Sequence, residues 1–379
     1  MLSAGPGALL AMDREELAAW LRLIETPQVG RESARKLLAA FGSPDAVLSA
    51  PTAARREVVT TEVAKALAEV PDAVLALIET THQWLTAGTD NAPRRVLTLG
   101  DPSYPVGLLE TADPPLLLYL QGRSELLGEP GLAVVGSRNP TSQGKENARS
   151  FSAHLSQAGL TIVSGLAMGI DGAAHEGGLA GTGSTVAVVG TGLDRVYPRR
   201  HLELAHRIAN QGLIVSEYPI GMPPLPPNFP LRNRIIAGLT RGTLVVEAAL
   251  QSGSLITARL ASEAGRDVFA IPGSIHSPQS RGCHALIKQG AKLVDSAQDI
   301  LDELPWHVPL ATSAADAFPS TENGDPLLQA MGFDPVNLDA LVARTGWPTQ
   351  QLNARLLELE LVGEVARLPG QLFQRVSTG

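Results

Sequence analysis

The densest chemistry in this sequence lies in the segment 216–238, SEYPIGMPPLPPNFPLRNRIIAG. Four prolines between 223 and 227 stiffen and extend the approach to it. Phe229 follows, and then Arg232, Asn233 and Arg234. A ring that can stack on a base, two cations for backbone phosphates and one amide make a workable unit for a single nucleic-acid strand. The same residues also suit a purely structural role, with Phe229 in a core and the arginines paired to Glu217 or Glu247.

Other segments have the composition of anion sites. The run AVVG is followed by Ser137, Arg138 and Asn139 and then by a helical pattern. Gly136 allows close backbone approach, Ser137 offers a hydroxyl, and Arg138 supplies a forked cation for phosphate. In SGLAMGIDGAAH (164–175), Gly165 and Gly169 permit a tight turn over an anion, and Asp171 is placed to cap the helix that carries His175. His175, between small residues, reads as a packed and hydrogen-bonded histidine rather than a general base. In GTGLDRVYPRRH (190–201), Arg199 and Arg200 follow a Tyr-Pro turn and can flank a phosphate path. Gln251, Ser252, Gly253 and Ser254 lead straight into a helix with Thr257 one turn in, a further nest of amides and hydroxyls. Gln251 can also offer its amide to a base edge. No GxxxxGK[ST] loop, GxSxG elbow or metal-spaced His/Cys/carboxylate cluster occurs, so an ATPase is disfavoured, and no catalytic residue, metal or cofactor is expected.

The elements that must position these groups are legible from their patterning. From residue 131 onward, apolar runs alternate with helical patterns: LAVVG (132–136), TIVSG (161–165), TVAVVG (185–190), LIVSEY (213–218), TLVVEAA (243–249), DVFAIPG (267–273) and AKLVDS (291–296). Short Val/Ile-rich runs without polar alternation predict strands buried on both faces, and their spacing predicts a Rossmann-like, doubly wound, mostly parallel α/β sheet. In such sheets ligands bind beyond the C-terminal ends of the strands, where the segments above fall.

Residues 1–88 read as a helical SAM-like or helix-hairpin-helix-like domain. Asp13 is placed to cap REELAAWLRLIE, and the turn TPQVG leads into RESARKLLAAFG. Hairpin amides and a helix N-terminus can meet a phosphate there, although a small packing domain is the stronger expectation. The segment DPSYPVGLLETADPPLLLYLQG reads as a Pro-rich connector into the α/β domain, 89–303. Residues 304–324 read as a linker, rich in Pro, Ala, Ser and Asp. Within 325–379, helices at 337–345 and 348–360, a turn through Gly346 and a hairpin turn at Pro369–Gly370 give a winged-helix order. Its second helix, TQQLNARLLELE, has one Arg against two Glu, which favours packing or partner docking over duplex reading.

Composition bounds the remainder. The chain has 379 residues, 44% of them hydrophobic and 18% charged, enough for several packed cores. One cysteine, Cys283, excludes an intramolecular disulfide and fits a reducing cytoplasm. The N-terminal MLSAGPGALLAMDREE lacks the pattern of a signal peptide, and no apolar stretch is long enough to predict a membrane span. A net charge of −8 argues against a basic nucleic-acid coat, but the charge is unevenly spread. Residues 123–300 hold 16 Lys/Arg against 13 Asp/Glu, leaving 14 against 25 elsewhere, so the middle of the chain can carry a local basic groove. An aromatic content of 4% leaves few rings for stacking.

The motifs GSR, SGLAMGIDxxAH, GxGxDxxYP, SExPxGxxPxxxxFPxRNRIIAG, VVEAxxxSGSLIT, VFAxPG and GCxxLIxxGA occur in this order over residues 98–297. In them the chain resembles the DNA-processing protein A (DprA/Smf) family, and the flanking modules match architectures of that family. Its departures are small: His201 stands where an Asn is usual after YPRR, and His284 where an Asn is common after GC. The resemblance implies a cytoplasmic, non-enzymatic homodimer that binds single-stranded DNA in natural transformation and homologous recombination. It would protect incoming DNA and help to load a strand-exchange recombinase, with other competence proteins as further partners. The implied binding set is Ser137, Arg138, Arg199, Phe229, Arg232, Asn233 and Arg234, with Gly165, Gly169, Ser252 and Gly253 shaping the pocket. The implied dimer patch lies on GCHALIKQGAKL through His284, Ile287 and Leu293, residues that ordinary core packing would also suit. Two rival readings stand beside this one. The first is an enzyme acting on a nucleotide or phosphoribosyl compound, with Glu217 or Glu247 as general base. The second is an interaction scaffold with a vestigial pocket.

Overall fold

Uninterrupted runs of Val, Ile, Leu and Ala become strands buried on both faces. In a computed structural model that describes residues 12–304, 325–332, 335–368 and 372–376, the strands of the large sheet are β1 (Arg94–Thr98), β2 (Leu117–Gly122), β3 (Gly131–Val135), β4 (Thr161–Ser164), β5 (Thr185–Val189), β6 (Leu213–Ser216), β7 (Gly242–Val245), β8 (Asp267–Ala270) and β9 (Lys292–Leu293), of which β3 to β7 are buried along their whole length and β9 is exposed. They form a nine-stranded, mostly parallel sheet. The chain divides into two compact units, Met1–Glu129 with Val186–Leu239, and Pro130–Thr185 with Thr240–Gly379. Among the described residues no helix is long and apolar enough to cross a membrane.

In the first unit the strand order is β1-β2-β6-β5. β5 and β6 are parallel, with Val186 opposite Leu213, whereas β2 runs antiparallel to β6 and β1 antiparallel to β2. The segment expected as a connector therefore contributes a strand, and Arg94–Thr98 adds another at the edge. The N-terminal helices Arg14–Glu25, Arg31–Phe41 and Asp72–Thr86 share one core with these two strands. Leu17, Leu21, Leu37 and Trp84 from the helices meet Val96, Leu117 and Tyr119 from the sheet. Asp13 caps the first helix by accepting the Glu16 N–H at 2.7 Å.

That first helix ends on a carboxylate, Glu25, against the favourable direction of the helix dipole. Burial, with Glu217 adding repulsion, raises the Glu25 carboxyl from 4.5 to about 6. A raised carboxyl contributes stability below its unfolded pKa, and that contribution disappears as pH rises through about 6. Glu25→Gln is therefore expected to stabilise the protein at pH 7 by up to about 2 kcal/mol and to flatten the stability profile in this window. Urea unfolding of both proteins across that pH range measures the effect, and parallel profiles would refute it.

The second unit holds β4-β3-β7-β8-β9, all parallel. Leu132, Val134, Ile162, Leu244 and Phe269 pack with Leu155 of the helix Ser142–Gln157 and with Ala173 and Ala174 of the helix Ile170–Gly178. Cys283 is fully buried on the helix Arg281–Lys288, with its sulfur 3.7 Å from the carbonyl oxygens of Val245 and Val246. Burial pushes its thiol up to about 12.

The C-terminal elements follow the winged-helix order. The helices Pro326–Met331, Leu338–Thr345 and Thr349–Leu361 surround a core of Leu327, Met331, Leu341, Leu352, Leu356 and Phe373. A three-stranded sheet, Val336–Asn337, Leu372–Arg375 and Val365–Leu368 in that order, completes the module. Gly346, at φ +71°, ends the second helix in the left-handed region that glycine tolerates. On the third helix, the cation of Arg355 is engaged by Asp325 at 2.5 Å and Glu358 at 2.6 Å. Leu357 and Leu361 stand exposed on the same helix. Of the linker expected at 304–324, Leu304 is buried in the core of the second unit, and residues 305–324 lie outside the described residues, as does the hairpin turn at Pro369–Gly370.

Candidate nucleic-acid interface

In the second unit, the loops beyond β3, β4 and β7 are tied to one another through the backbone. The Ser137 N–H donates to the Glu247 carbonyl at 2.7 Å, and the Ile170 N–H donates to the Ser137 carbonyl at 3.1 Å. Ser137 is buried, and its hydroxyl accepts the Asn139 N–H at 3.1 Å, turning the chain so that Arg138 points outward and is exposed. Gly169, at φ +85°, lies under this turn. A Cβ there would stand 2.4 Å from the Ser137 carbonyl oxygen and 2.8 Å from the Arg138 carbonyl carbon.

Asp171 does not cap its helix. The N-cap is Gly169, and the Asp171 carboxylate reaches back to accept the N–H groups of Gly165 at 3.1 Å and Ala167 at 3.2 Å. The reason is register: the helix starts at Ile170, so Asp171 is already inside the first turn. His175 is fully buried and accepts the Leu166 N–H on Nε2 at 3.2 Å. That assigns the proton to Nδ1, which donates to the Thr185 hydroxyl at 2.7 Å, and Thr185 donates on to the Ile162 carbonyl at 2.6 Å. His175 thus fixes the β4 loop to the strands.

Beyond β7, Ser252 accepts the Ser254 N–H at 3.3 Å at the start of the helix Ser254–Glu263. Gly253 is exposed, with φ −62°, and a Cβ there would meet nothing within 4 Å. Packing within the chain therefore places no demand for glycine at 253, whereas it does at 169. Glu247 accepts the Thr141 N–H at 2.9 Å and its hydroxyl at 2.5 Å. A Cβ at Gly144 would lie 2.3 Å from the Glu247 Cδ, so the helix Ser142–Gln157 starts directly over this carboxylate. Burial raises the Glu247 pKa, opposed by the two hydrogen bonds from Thr141. Sequence reasoning missed this partnership, although the Thr-Ser-Gln-Gly start of the helix carries an N-cap signature at Thr141.

In the first unit, the RNR motif lies on the helix Asn228–Gly238, and its polar side chains turn inward. Arg232 and Asn233 are buried. Arg232 donates to the Asn233 side-chain oxygen at 3.0 Å and to the Val188 carbonyl of β5. Arg234 donates to Glu217 at 2.6 Å and to Asp113 at 3.3 Å. Arg31 and Arg35, from the helix that follows the N-terminal hairpin, join the same network: Arg31 reaches Asp113 at 2.9 Å and Glu217 at 3.1 Å, and Arg35 reaches Asp113 at 2.6 Å. Where the sequence reading has Arg232, Asn233 and Arg234 facing DNA, the structure places Arg232 and Asn233 in the interior, with Asn233 accepting from Arg232, and engages Arg234 with Glu217 and Asp113. Glu217, expected in the rival reading as a general base, is held between two guanidinium groups. Phe229 is half-buried beside Tyr197, and Arg199 and Arg200 are exposed in the short turn Arg199–His201.

Among the described residues, Arg138, Arg199 and Arg200 are exposed past strand ends with no carboxylate ion-paired to them, unlike Arg31, Arg35 and Arg234. For the expected dimer patch, Leu293 is 49% exposed on β9, the outermost strand of its unit. Ile287 is half-buried on the helix Arg281–Lys288, and His284 on the same helix has Nε2 2.9 Å from the Gly273 carbonyl.

Comparison with known proteins matches three modules in the order seen in the fold. Residues 95–305 match the family of DNA recombination-mediator protein A, residues 14–72 a DprA-like N-terminal HHH domain, and residues 311–371 a DprA winged helix domain. Protein Smf of Escherichia coli (strain K12) is 46% identical over 275 residues, 70% of this chain and 74% of that protein. The X-ray structure of DNA processing protein A from Streptococcus pneumoniae superposes with a TM-score of 0.62 at 39% identity, covering 79% of this chain and 100% of that one. A structure described as giving the single-stranded DNA binding mode of DNA processing protein A from Helicobacter pylori has a TM-score of 0.50 at 32% identity, covering 55% of this chain and 94% of that one. With its α/β middle matched over more than half the chain and both flanking modules matched in order, this chain belongs to the DNA-processing protein A (DprA/Smf) family.

Proposed function

We propose that this chain binds single-stranded DNA through the loops beyond the parallel strands, acting by binding and without catalysis. The observation that carries the reading is Arg138 in the second unit, an exposed cation past the end of β3 with no carboxylate ion-paired to it, on a turn fixed by Ser137 and Gly169; in the first unit Arg199 is likewise exposed and without an ion pair. A relative of known structure is described as binding single-stranded DNA, which supports the same reading. Gly165, Gly169, Ser252 and Gly253 shape the backbone that approaches phosphate, and Gly253 leaves that approach open. Arg232, Asn233 and Arg234 hold the helix that carries Phe229. The modules 1–88, 89–303, 304–324 and 325–379 divide the work, with DNA held by the second. In the cytoplasm the chain would protect incoming DNA during transformation and pass it to a strand-exchange recombinase.

Titration of the protein with labelled oligo-dT tests this. For single strands log K falls with log salt by about 0.7 per phosphate contacted, so three or four contacts give a slope of about −2 to −3. Arg138→Ala is expected to weaken all sequences alike and to reduce the slope by about 0.7. A flat salt response in the wild type would sink the electrostatic account.

The reading includes a homodimer through His284, Ile287 and Leu293. An exposed leucine on an outermost strand presents both apolar surface and unpaired backbone to a second copy. Leu293→Arg or Ile287→Asp would place a charge in that contact and should give monomers with weaker hold on long DNA. Light scattering showing the wild-type mass for both variants would exclude this patch.

A further inference from the structure

Phe229 has one side closed. Its ring atoms Cδ1 and Cε1 would lie 3.2 and 3.5 Å from a Cβ at Gly190, so the ring leans on the backbone just beyond β5. It also packs against Tyr197, with centroids 5.4 Å apart and planes at 36°. Tyr197 is the more open of the two, 50% exposed, while Phe229 is half-buried. Two and three residues beyond Tyr197, Arg199 and Arg200 are exposed.

Stacking on a base needs an accessible ring face, and a ring that is already restrained loses less entropy when a base arrives. Phe229 supplies restraint but little open face, and Tyr197 supplies the face. We infer that Tyr197 presents the surface on which a nucleobase of single-stranded DNA stacks, with Phe229 as the wall behind it and Arg199 beside it for the adjoining phosphate. This rests on the single-strand reading above and moves the stacking role from the residue expected in the sequence to its neighbour. Every base has a π-face, so the platform accepts any base. An aromatic pair of this kind also fits a chain with few aromatic residues, because one backed ring does work that scattered rings would do less well.

Two measurements on the full chain test the inference. Photo-cross-linking to an oligo-dT carrying 5-iododeoxyuridine, followed by peptide mapping, is expected to mark Tyr197. Tyr197→Ala is expected to bind oligo-dT between about 5- and 150-fold more weakly, the range for losing one stacked base, with the salt slope unchanged. Tyr197→Phe keeps the ring and should restore binding to nearly the wild-type value. Tyr197 is half exposed, so these variants should melt as the wild type does, and melting curves check this. Phe229→Leu keeps a wall without a ring and is expected to lose less affinity than Tyr197→Ala. Wild-type affinity in Tyr197→Ala, or cross-links confined to Phe229, would overturn the inference while leaving single-strand binding intact. No oligo-dT binding by the wild type would overturn both.

Discussion

Gly169→Ala is expected to destabilise the protein by at least about 3 kcal/mol and to abolish binding of single-stranded DNA. At φ +85° and ψ −121° an alanine is strained before any contact is considered. Its Cβ would then stand 2.4 Å from the Ser137 carbonyl oxygen, 2.7 Å from the Pro140 Cδ and 2.8 Å from the Arg138 carbonyl carbon. None of these is the free end of a flexible side chain, so relief requires the turn to lift. Lifting it would break the Ile170 N–H bond to Ser137 and the Ser137 N–H bond to Glu247, and it would misdirect Arg138. Gly253→Ala is the matched control, since its Cβ meets open space. It should melt like the wild type and lose only affinity. Thermal melts and oligo-dT titration of both variants decide the matter, and a Gly169→Ala protein with wild-type melting would show that the turn is not built as described.

Arg234→Ala should act on folding rather than on DNA. Its side chain is 12% exposed, and the guanidinium lies between Glu217, whose side chain is 9% exposed, and Asp113. Removing one partner of a buried ion network leaves charge insufficiently compensated, which costs about 3 kcal/mol or more. Arg31 continues to serve both carboxylates, so the loss should fall near the lower end of that range. The distinguishing measurement is the salt slope of whatever binding survives. A residue that meets phosphate would lower it by about 0.7, whereas a framework residue leaves it unchanged. Wild-type melting combined with a lowered slope would return Arg234 to the DNA-contact set.

The contrast between Arg138 and Arg234 also marks where sequence reasoning reaches its limit. Local patterns were legible: the apolar runs from LAVVG to AKLVDS became β3 to β9, and the helix–turn–helix–hairpin order of the tail appeared as read. β2 was hidden because LLLYLQG follows Asp-Pro-Pro and looks like the end of a connector. Its burial depends on helices that lie tens of residues earlier in the chain. Asp before an Ala-rich run is a helix start signal, so Asp171 reads as a cap, yet a start two residues earlier turns the same carboxylate onto the loop. The arginine network has no local signature at all. Arg31 and Glu217 are 186 residues apart, and nothing around Asp113 announces that three guanidinium groups will converge on it. A residue type states what a side chain can do, while its partners across the fold determine which of those things it does.

The burial of Cys283 has a practical consequence for watching this protein at work. A thiol held near pKa 12 inside the second unit stays protonated at neutral pH and is shielded from reagents in solution. It is the chain's only cysteine, so the unmodified protein should be almost inert to maleimide dyes. A cysteine introduced on an exposed position, such as Leu231→Cys on the helix that bears Phe229, would then be the one site that reacts. A single dye could thus be placed on the helix that bears Phe229 without first removing a native thiol from the core, and its emission would report each arrival and departure of a strand.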